Sequence, residues 1–497
     1  MPNLFAHLVL ALWPLVMLGI FRALPPGRAL IWSVLASYLL LPPYPTEFDF
    51  PLFPALDKTT IPNVMAILLT VFYAKEKIKW LPDTVLGKVL VAIFVLAPIP
   101  TVLTNPEPIV FAMDMLRGLY AQDIFAMMVM QCILLANFAL ARNLLTTEKD
   151  LRDLLLAMVI AGTAYAFPML VEVRLSPQIN IWVYGFFQHM FDQMIRGDGF
   201  RPIVFLSHGI WAAMLTMMSL SAAVILIANT EGRLRTKLIW TALFLAAVLV
   251  LAKTLSALIY ATFIIGMVLF TNWRMQAKLA MVLACLALAY PIAKGAHLVP
   301  EERLLEMASR VSDDRAQSLE FRFEHEGALL NRAQEKPYFG WGIWGRNQIH
   351  DPISGRMTSV ADGRWVLTLG MLGWLGFIGE FGLLIFPIFL VYRLSVRAPM
   401  EDNWRKHQPE RKTFAALGGI RNSVQRQKVT PIVGGLSLLL AINTVDLLPN
   451  ATLTTMTWLI AGALLGYAEA YLVPKNAPKP KVDLPVPQAT ARPRTVL

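Results

Sequence analysis

Thirteen blocks of apolar residues follow one another along this chain, and many approach the length of about 20 residues that a helix needs to cross a bilayer. Because hydrocarbon offers the backbone no hydrogen-bond partner, a block that enters a membrane has to form a helix. The sequence therefore predicts an all-α fold, a polytopic transmembrane helix bundle of about 12–13 spans. The blocks lie near residues 4–21, 29–43, 61–74, 88–104, 120–141, 154–172, 202–228, 238–252, 255–270, 279–293, 365–392, 430–447 and 451–472.

The composition excludes an ordinary soluble protein. Only 15% of the residues are charged, whereas soluble domains carry about 25%, so the chain lacks the charge to cover the surfaces of soluble domains. The net charge of +11 does not indicate a nucleic-acid partner, because the basic residues stand in short clusters between apolar blocks. Cys132 and Cys285 both lie within apolar blocks, so we expect neither a disulfide nor a metal site from them.

The distribution of lysine and arginine orients the chain. If alternate loops are cytoplasmic, beginning with 22–28, those loops and the C-terminal tail hold 28 of the 44 basic residues. Ten of the other 16 lie in one long loop, 294–364, and long loops are translocated largely regardless of charge. The short loops alone give 28 against 6, which predicts that 294–364 is external and 393–429 is cytoplasmic.

Four regions follow from this topology, in what we expect to be a multi-pass protein of a bacterial inner membrane. They are ten transmembrane helices in 1–293, an external loop at 294–364, the last transmembrane helices in 365–472 with a basic cytoplasmic loop at 393–429, and a cytoplasmic tail at 473–497. The tail is rich in proline and lysine, and we expect it to be disordered because such a composition cannot bury a core.

The long external loop concentrates charged residues at the outer surface. Its segment 301–333 contains neither proline nor glycine before Gly327, and its apolar residues recur at roughly helical spacing. We therefore expect one or two helices on the outer face of the membrane, ended by Pro337. Arg315 and Arg322 are seven residues apart, so they share one face of a helix.

Glycines and aromatic residues alternate directly after this segment, in PYFGWGIWGRN. The glycines permit tight turns and close approach of a ligand. The aromatic residues fit the headgroup level of a membrane, and they fit equally a platform on which sugars stack, with Trp341 as the candidate for substrate binding.

The loop ends on Asp362-Gly363-Arg364, directly before the apolar block 365–392. Charged side chains at a membrane entrance are costly unless they are paired or hydrated. Asp362 and Arg364 are therefore candidates for contact with a polar substrate, and interfacial anchoring is the alternative.

Two segments of this region resemble the superfamily of O-antigen ligases and Wzy-type O-antigen or exopolysaccharide polymerases, membrane glycosyltransferases of bacterial surface glycans. They are RFEHEGALLNRAQEKPYFGWG and, about twenty residues later, ADGRWVLTLGMLGWLGFIG. They match an arginine-bearing external helix, the pattern P-x-x-G-x-G, and a polar motif that opens a helix rich in glycine and leucine. Arg201-Pro202 and His208-Gly209 are a further resemblance. Many members, notably ligases, have a His-Asn pair where this chain has Asp362-Gly363.

The resemblance implies that the donor is an undecaprenyl-diphosphate-linked oligosaccharide and that the acceptor is a glycan or a lipid-linked molecule. It also implies membrane lipids and other glycan-assembly proteins, such as chain-length regulators, as partners, and no cofactor. Arginine suits a diphosphate leaving group because its planar fork binds phosphate oxygens bidentately and stabilises developing charge. Arg201 and Arg322 are assigned to the diphosphate, with Arg315 and Arg332 as further substrate-binding candidates.

An acceptor hydroxyl needs a base or a hydrogen-bond acceptor. Asp362, His350 and His208 remain open for that role; we predict catalytic roles for Asp362 and His208 and substrate binding for His350 and Arg364. The alternatives are an interfacial anchor for Arg201, a buried histidine one to two turns inside a helix for His208, and a solvated ion-pair face for Arg322. External segments hold no carboxylate cluster with metal-ligand spacing, so we expect no metal.

Two other classes of function remain open beside a glycosyltransferase. A flippase or transporter of lipid-linked oligosaccharides would place charged residues at the middle of several spans, whereas here the spans are nearly free of charge and the external loop is rich in it. A non-catalytic membrane partner of a synthesis complex is the third possibility.

Overall fold

The computed structural model describes residues 1–50, 53–196, 199–310, 312–397 and 429–472, except for the side chains of Asp314 and Arg315. Within these ranges the chain is mainly helical and carries eight helices long and apolar enough to cross a membrane. The predicted all-α polytopic bundle is therefore confirmed, and the protein is a multi-pass membrane protein. Most of the predicted cytoplasmic loop and the tail from 473 lie outside the described residues.

Each of the thirteen predicted apolar blocks contains a helix. In the first half the helices are Leu4–Ala23 (α1), Pro26–Leu40 (α2), Thr60–Leu68 (α3, continued as a π-helical turn at Leu69–Tyr73), Val85–Leu96 (α4), Pro98–Leu103 (α5), Ala121–Leu144 (α6), Glu148–Leu175 (α7) and Ile179–Tyr184 (α8). In the second half they are Gly209–Ala228 (α9), Gly232–Leu251 (α10), Leu255–Phe270 (α11), Trp273–Gly295 (α12), Glu301–Ser309 (α13), Asp313–Gln334 (α14), Arg364–Arg397 (α15), Ile432–Asp446 (α16) and Thr455–Leu472 (α17).

Two short antiparallel strand pairs lie in the loops between helices. Ile109–Val110 (β1) pairs with Met115–Leu116 (β2), and Ile195–Arg196 (β3) pairs with Gly199–Phe200 (β4). In the long loop between α12 and α15 the structure forms two helices, α13 and α14, as the apolar spacing predicted.

Among the eight long helices α9 is the most buried, at 83% of its apolar stretch, whereas α1 and α10 are only 28% buried. Small residues let the inner helices approach closely. On α17, a Cβ atom at Gly462 or Gly466 would lie 2.3 Å or 2.2 Å from a backbone oxygen of α6. This spacing of four residues places both glycines on one face, as in other closely packed membrane helices.

The predicted helical hairpin or broken helix at 238–270 is two separate helices, α10 and α11. They part at Lys253, which has φ 52°. Both pack on α9, and in addition α10 packs on α7 and α11 packs on α16. The break leaves Lys253 and Thr254 at the end of α10, where they contact the loops that carry the candidate site.

The block 365–392 is not a continuous helix, because α15 is interrupted at Gly373, with φ 64° and ψ −165°. The chain bends sharply enough for Thr368 to donate to Glu380 at 3.1 Å, although twelve residues of straight helix would separate them by about 18 Å. Such a conformation is essentially restricted to glycine.

The glycine-rich segment 337–342 fills this break. Backbone N–H groups of Trp374 and Leu375 donate to the carbonyls of Pro337 and Tyr338, and those of Trp341 and Gly342 donate to the carbonyls of Gly370 and Met371. Interruption of a membrane helix is tolerated where the freed backbone groups find protein partners. The P-x-x-G-x-G pattern therefore has a structural role: it holds a broken helix together.

Candidate functional site

A buried glutamate shapes the loop that carries Arg201 and His208. Glu172, in the last turn of α7, is fully buried and accepts hydrogen bonds from the backbone N–H groups of Ile203 and Val204, both at 2.8 Å. These bonds offset the cost of burying its charge. They also hold residues 201–208 as a loop, so α9 begins at Gly209 and not near 202 as predicted.

His208 is the N-cap of α9, and the expectation that it lies one to two turns inside a helix is wrong. Its Nδ1 accepts the backbone N–H of Ile210 at 2.9 Å, so the neutral imidazole carries its proton on Nε2. Burial, followed by the positive charge of Arg201, His189, Arg322 and Arg196, lowers the pKa of His208 to about 3. At neutral pH His208 is thus an uncharged N–H donor and is poorly suited to accept a proton.

Three arginines act electrostatically on this imidazole, two from the segment just before it and one from α14. Arg201 is 6% exposed and donates from Nη2 to Thr254 Oγ1 at 3.0 Å. Arg322 comes from α14 and Arg196 comes from β3. The backbone carbonyl of Arg196 accepts a hydrogen bond from Lys253 Nζ at 2.8 Å. Because all three lower the pKa of one histidine, they form a concentrated positive region suited to an anion.

Arg322 also pairs with Asp362, the acidic candidate at the start of α15. The Nε of Arg322 lies 3.2 Å from Oδ2 of Asp362, and their side chains are 32% and 39% exposed. Both groups are therefore within reach of a bound molecule. The backbone N–H of Val360 donates to His325 Nδ1 at 3.3 Å, which ties the segment before Asp362 to α14.

Helix α14 is docked on the bundle by Glu326, one turn beyond Arg322. Its carboxylate accepts from Trp365 Nε1 at 2.7 Å and from Tyr290 OH at 3.1 Å, and it lies 3.4 Å from Lys294 Nζ. Burial raises the pKa of Glu326, while Lys294 opposes this shift. These contacts join α12, α14 and α15 and fix the position of Arg322.

Asp446 is a site residue that the sequence analysis missed. It ends α16, is fully buried, and accepts from Asn450 Nδ2 at 2.9 Å and Thr452 Oγ1 at 2.5 Å. The hydroxyl of Tyr260 of α11 also interacts with its carboxylate, and Arg322 is close enough to act on its charge. An acidic residue at the end of an apolar block was the available signal.

Trp341, Arg332 and His350 form a separate cluster. The guanidinium carbon of Arg332 lies 3.4 Å from the ring centroid of Trp341, and Trp341 Nε1 donates to the carbonyl of Arg332. Arg332 also pairs with Glu335 at 2.6 Å. The ring of His350 lies 5.3 Å from that of Phe111. The contacts of these residues within the described parts of the chain do not include Arg322 or Asp362, so these predicted substrate-binding residues lie apart from the predicted catalytic ones.

Arg364 is directed into the bundle. Its Nε and Nη2 donate to the two carboxylate oxygens of Glu380 at 2.7 and 2.6 Å, and Glu380 is 1% exposed. This bidentate pair spans the break at Gly373, which explains Arg364 as a structural residue. The side chain of Arg315, another predicted substrate contact, lies outside the described residues.

Comparison with known proteins assigns no family. A scan against models of protein families found no match to this chain, and a search of curated proteins found none.

Proposed function

We propose that this protein transfers glycan from a lipid-diphosphate donor to an acceptor hydroxyl at the outer face of its membrane, as a polymerase or a ligase. The observation that carries the proposal is the convergence of Arg201 and Arg322 around His208, with Asp362 paired to Arg322. These four residues come from two segments, 201–208 and 322–362, that are more than a hundred positions apart. A diphosphate is the group that such a cluster of arginines suits.

In the proposed reaction the acceptor oxygen forms a bond to the anomeric carbon while the bond from that carbon to the diphosphate oxygen breaks. The acceptor proton passes to the carboxylate of Asp362. The diphosphate leaves with the bonding electron pair, and Arg201, Arg322 and the Nε2–H of His208 stabilise its charge. Attack opposite the leaving group inverts the anomeric configuration.

The roles differ from the sequence-based alternatives in one respect. His208 had been a possible base, but its Nδ1 is engaged with the Ile210 amide and its pKa is low. Asp362 is the partly exposed carboxylate in contact with the site arginine, so the proposal gives it the proton. Arginine supplies the positive charge, and the proposed reaction uses no metal.

The test is transfer by purified full-length protein in detergent, with lipid-diphosphate-linked oligosaccharide as donor, in buffer containing EDTA. The proposal predicts a longer or ligated glycan and free lipid diphosphate. A flippase would move donor across sealed vesicles but make no product in detergent, and a non-catalytic partner would do neither. Absence of product from folded protein supplied with its donor and acceptor, or product that requires added Mg²⁺ or Mn²⁺, contradicts the proposal as stated.

A further inference from the structure

The loop after the P-x-x-G-x-G segment holds an aromatic side chain in an unusual state. Trp344 is 57% exposed and has φ 64°, a left-handed conformation that costs a non-glycine residue on the order of 1–3 kcal/mol. Glycine, which adopts this conformation without strain, stands at the nearby positions Gly342 and Gly345, but position 344 holds a tryptophan. Strain at an exposed tryptophan points to a function for its ring.

The orientation of this ring is fixed by buried polar groups. The indole N–H of Trp344 faces the carboxylate of Asp123, which is 4% exposed. Arg117 donates to both oxygens of Asp123 at 2.7 and 3.1 Å. Its guanidinium carbon lies 5.0 Å from the ring centroid of Trp344 and 5.6 Å from that of Tyr120, which is itself 56% exposed.

A buried arginine holds the loop that carries Trp344 in place. Arg346 is 1% exposed, and it donates to the carbonyls of Trp341, Arg117 and Glu107 at 3.1, 2.8 and 2.9 Å. It thereby joins the loop of Trp344 to the segment that carries Arg117. The result is a rigid ledge, consisting of Trp344, Arg117 and Tyr120.

We infer that this ledge is a sugar-binding subsite, at which the glycan stacks on Trp344 at a distance from the reaction centre. The inference rests on the proposed function, since it takes a glycan as the substrate. A pyranose ring offers an apolar C–H face to an aromatic ring and hydroxyls to charged groups at its edge, and the ledge presents both kinds of partner. A membrane anchor would turn its indole N–H to the interface, whereas here that N–H is directed to a buried carboxylate.

The ledge is separate from the cluster at His208. Arg332, which donates to the carbonyl of Arg346 at 3.4 Å, lies ten residues after Arg322 on α14, or about 15 Å along the helix. The ledge therefore contacts sugar residues of the glycan that lie some distance from the glycosidic bond that is made or broken. It determines how a glycan is held and in which direction it leaves the site.

The experiment measures binding of lipid-free glycan to full-length protein in nanodiscs. The probe is the oligosaccharide released by mild acid from the lipid-linked glycan of the cell that makes the protein, titrated by saturation-transfer NMR. Trp344→Asn removes the ring and, because asparagine tolerates a left-handed backbone, is expected to leave the fold intact. We expect affinity to fall about tenfold, equivalent to about 1.4 kcal/mol, and to be largely kept by Trp344→Tyr.

Glycan affinity is measured apart from transfer, which separates this inference from the proposed function. The matched control, Trp182→Ala, removes another tryptophan outside the ledge, 61% exposed, and should leave glycan affinity unchanged. Wild-type affinity in Trp344→Asn, or no binding by the wild type, overturns the subsite even if transfer is observed. Reduced association with anionic lipid without a change in glycan affinity identifies Trp344 as a membrane anchor and also overturns it. Binding that depends on Trp344 sustains the subsite even if no transfer occurs.

Discussion

Replacement of Gly373 by alanine tests whether the broken helix is specified by the glycine-rich segment that fills it. A Cβ atom at Gly373 would lie 2.3 Å from the backbone carbon of Tyr338 and 2.5 Å from the nitrogen of Phe339. Neither is the flexible end of a side chain, so the two segments have to separate. The substitution also forces alanine into a region of φ and ψ that costs on the order of 1–3 kcal/mol.

Separation breaks at least the two hydrogen bonds nearest to the glycine, those from Trp374 to Pro337 and from Leu375 to Tyr338. Each contributes about 1 kcal/mol. The free energy of unfolding of Gly373→Ala should therefore fall by about 3–5 kcal/mol, a large part of the roughly 5–15 kcal/mol that stabilises a typical protein.

The matched control is Gly266→Ala in α11. No atom lies within 4 Å of a Cβ at Gly266, and alanine favours a helix over glycine by up to about 1 kcal/mol, so this variant should be as stable as the wild type or slightly more so. Thermal unfolding in one detergent, followed by circular dichroism, compares the two. Equal melting temperatures for Gly373→Ala and Gly266→Ala would refute the account of the break.

Three further predictions follow from the site and the topology. Asp446→Ala leaves the donors of Asn450, Thr452 and Tyr260 without their acceptor, so thermal unfolding should show a loss of at least about 2 kcal/mol; an unchanged melting temperature contradicts this. Folding lowers the pKa of His208 from 6.5 to about 3. Between these pH values the imidazole is protonated in the unfolded state and neutral in the folded state. The wild type should therefore lose more stability than His208→Gln as the pH falls from 6.5 to about 3. A parallel pH dependence of the two proteins would show that His208 is not held neutral. In a chain without Cys132 and Cys285, a cysteine at position 350 should be labelled in intact cells and one at position 410 only after permeabilisation; the reverse pattern contradicts the orientation.

The helices were predictable because apolar length is sufficient to define a span. The break in α15 was not, since Gly370, Gly373 and Gly376 interrupt neither the hydropathy nor the helical pattern on either side. Only the three-dimensional approach of the segment 337–342 makes one of these glycines a reversal point. The same break explains why Arg364 was predicted to bind substrate. Its partner Glu380 lies sixteen residues away, and in a straight helix the two side chains could not meet.

Matched motifs and residue chemistry together found part of the candidate site. Arg201, His208, Arg322 and Asp362 were all singled out from the sequence and meet at one place. Asp446 and Glu172 were not singled out. In the sequence, an acidic residue near the end of an apolar block resembles an ordinary interfacial residue, and only the structure shows which groups donate hydrogen bonds to it. Arg196 and His189 lie in the connection between α8 and α9 and belong to no motif, so their part in the electrostatics of the site depended on the fold.

The central claim is that Arg201 and Arg322 bind the diphosphate of a glycan donor, and steady-state transfer rates of three variants test it most directly. Arg322→Lys and Arg201→Lys keep the charge but lose the bidentate fork, so each should lower the rate about a hundredfold, equivalent to roughly 3 kcal/mol of stabilisation of the developing charge. Arg356→Lys, at an exposed loop arginine outside the site, should leave the rate unchanged. If all three variants form product at the wild-type rate with normal protein levels, the assignment of the site is wrong.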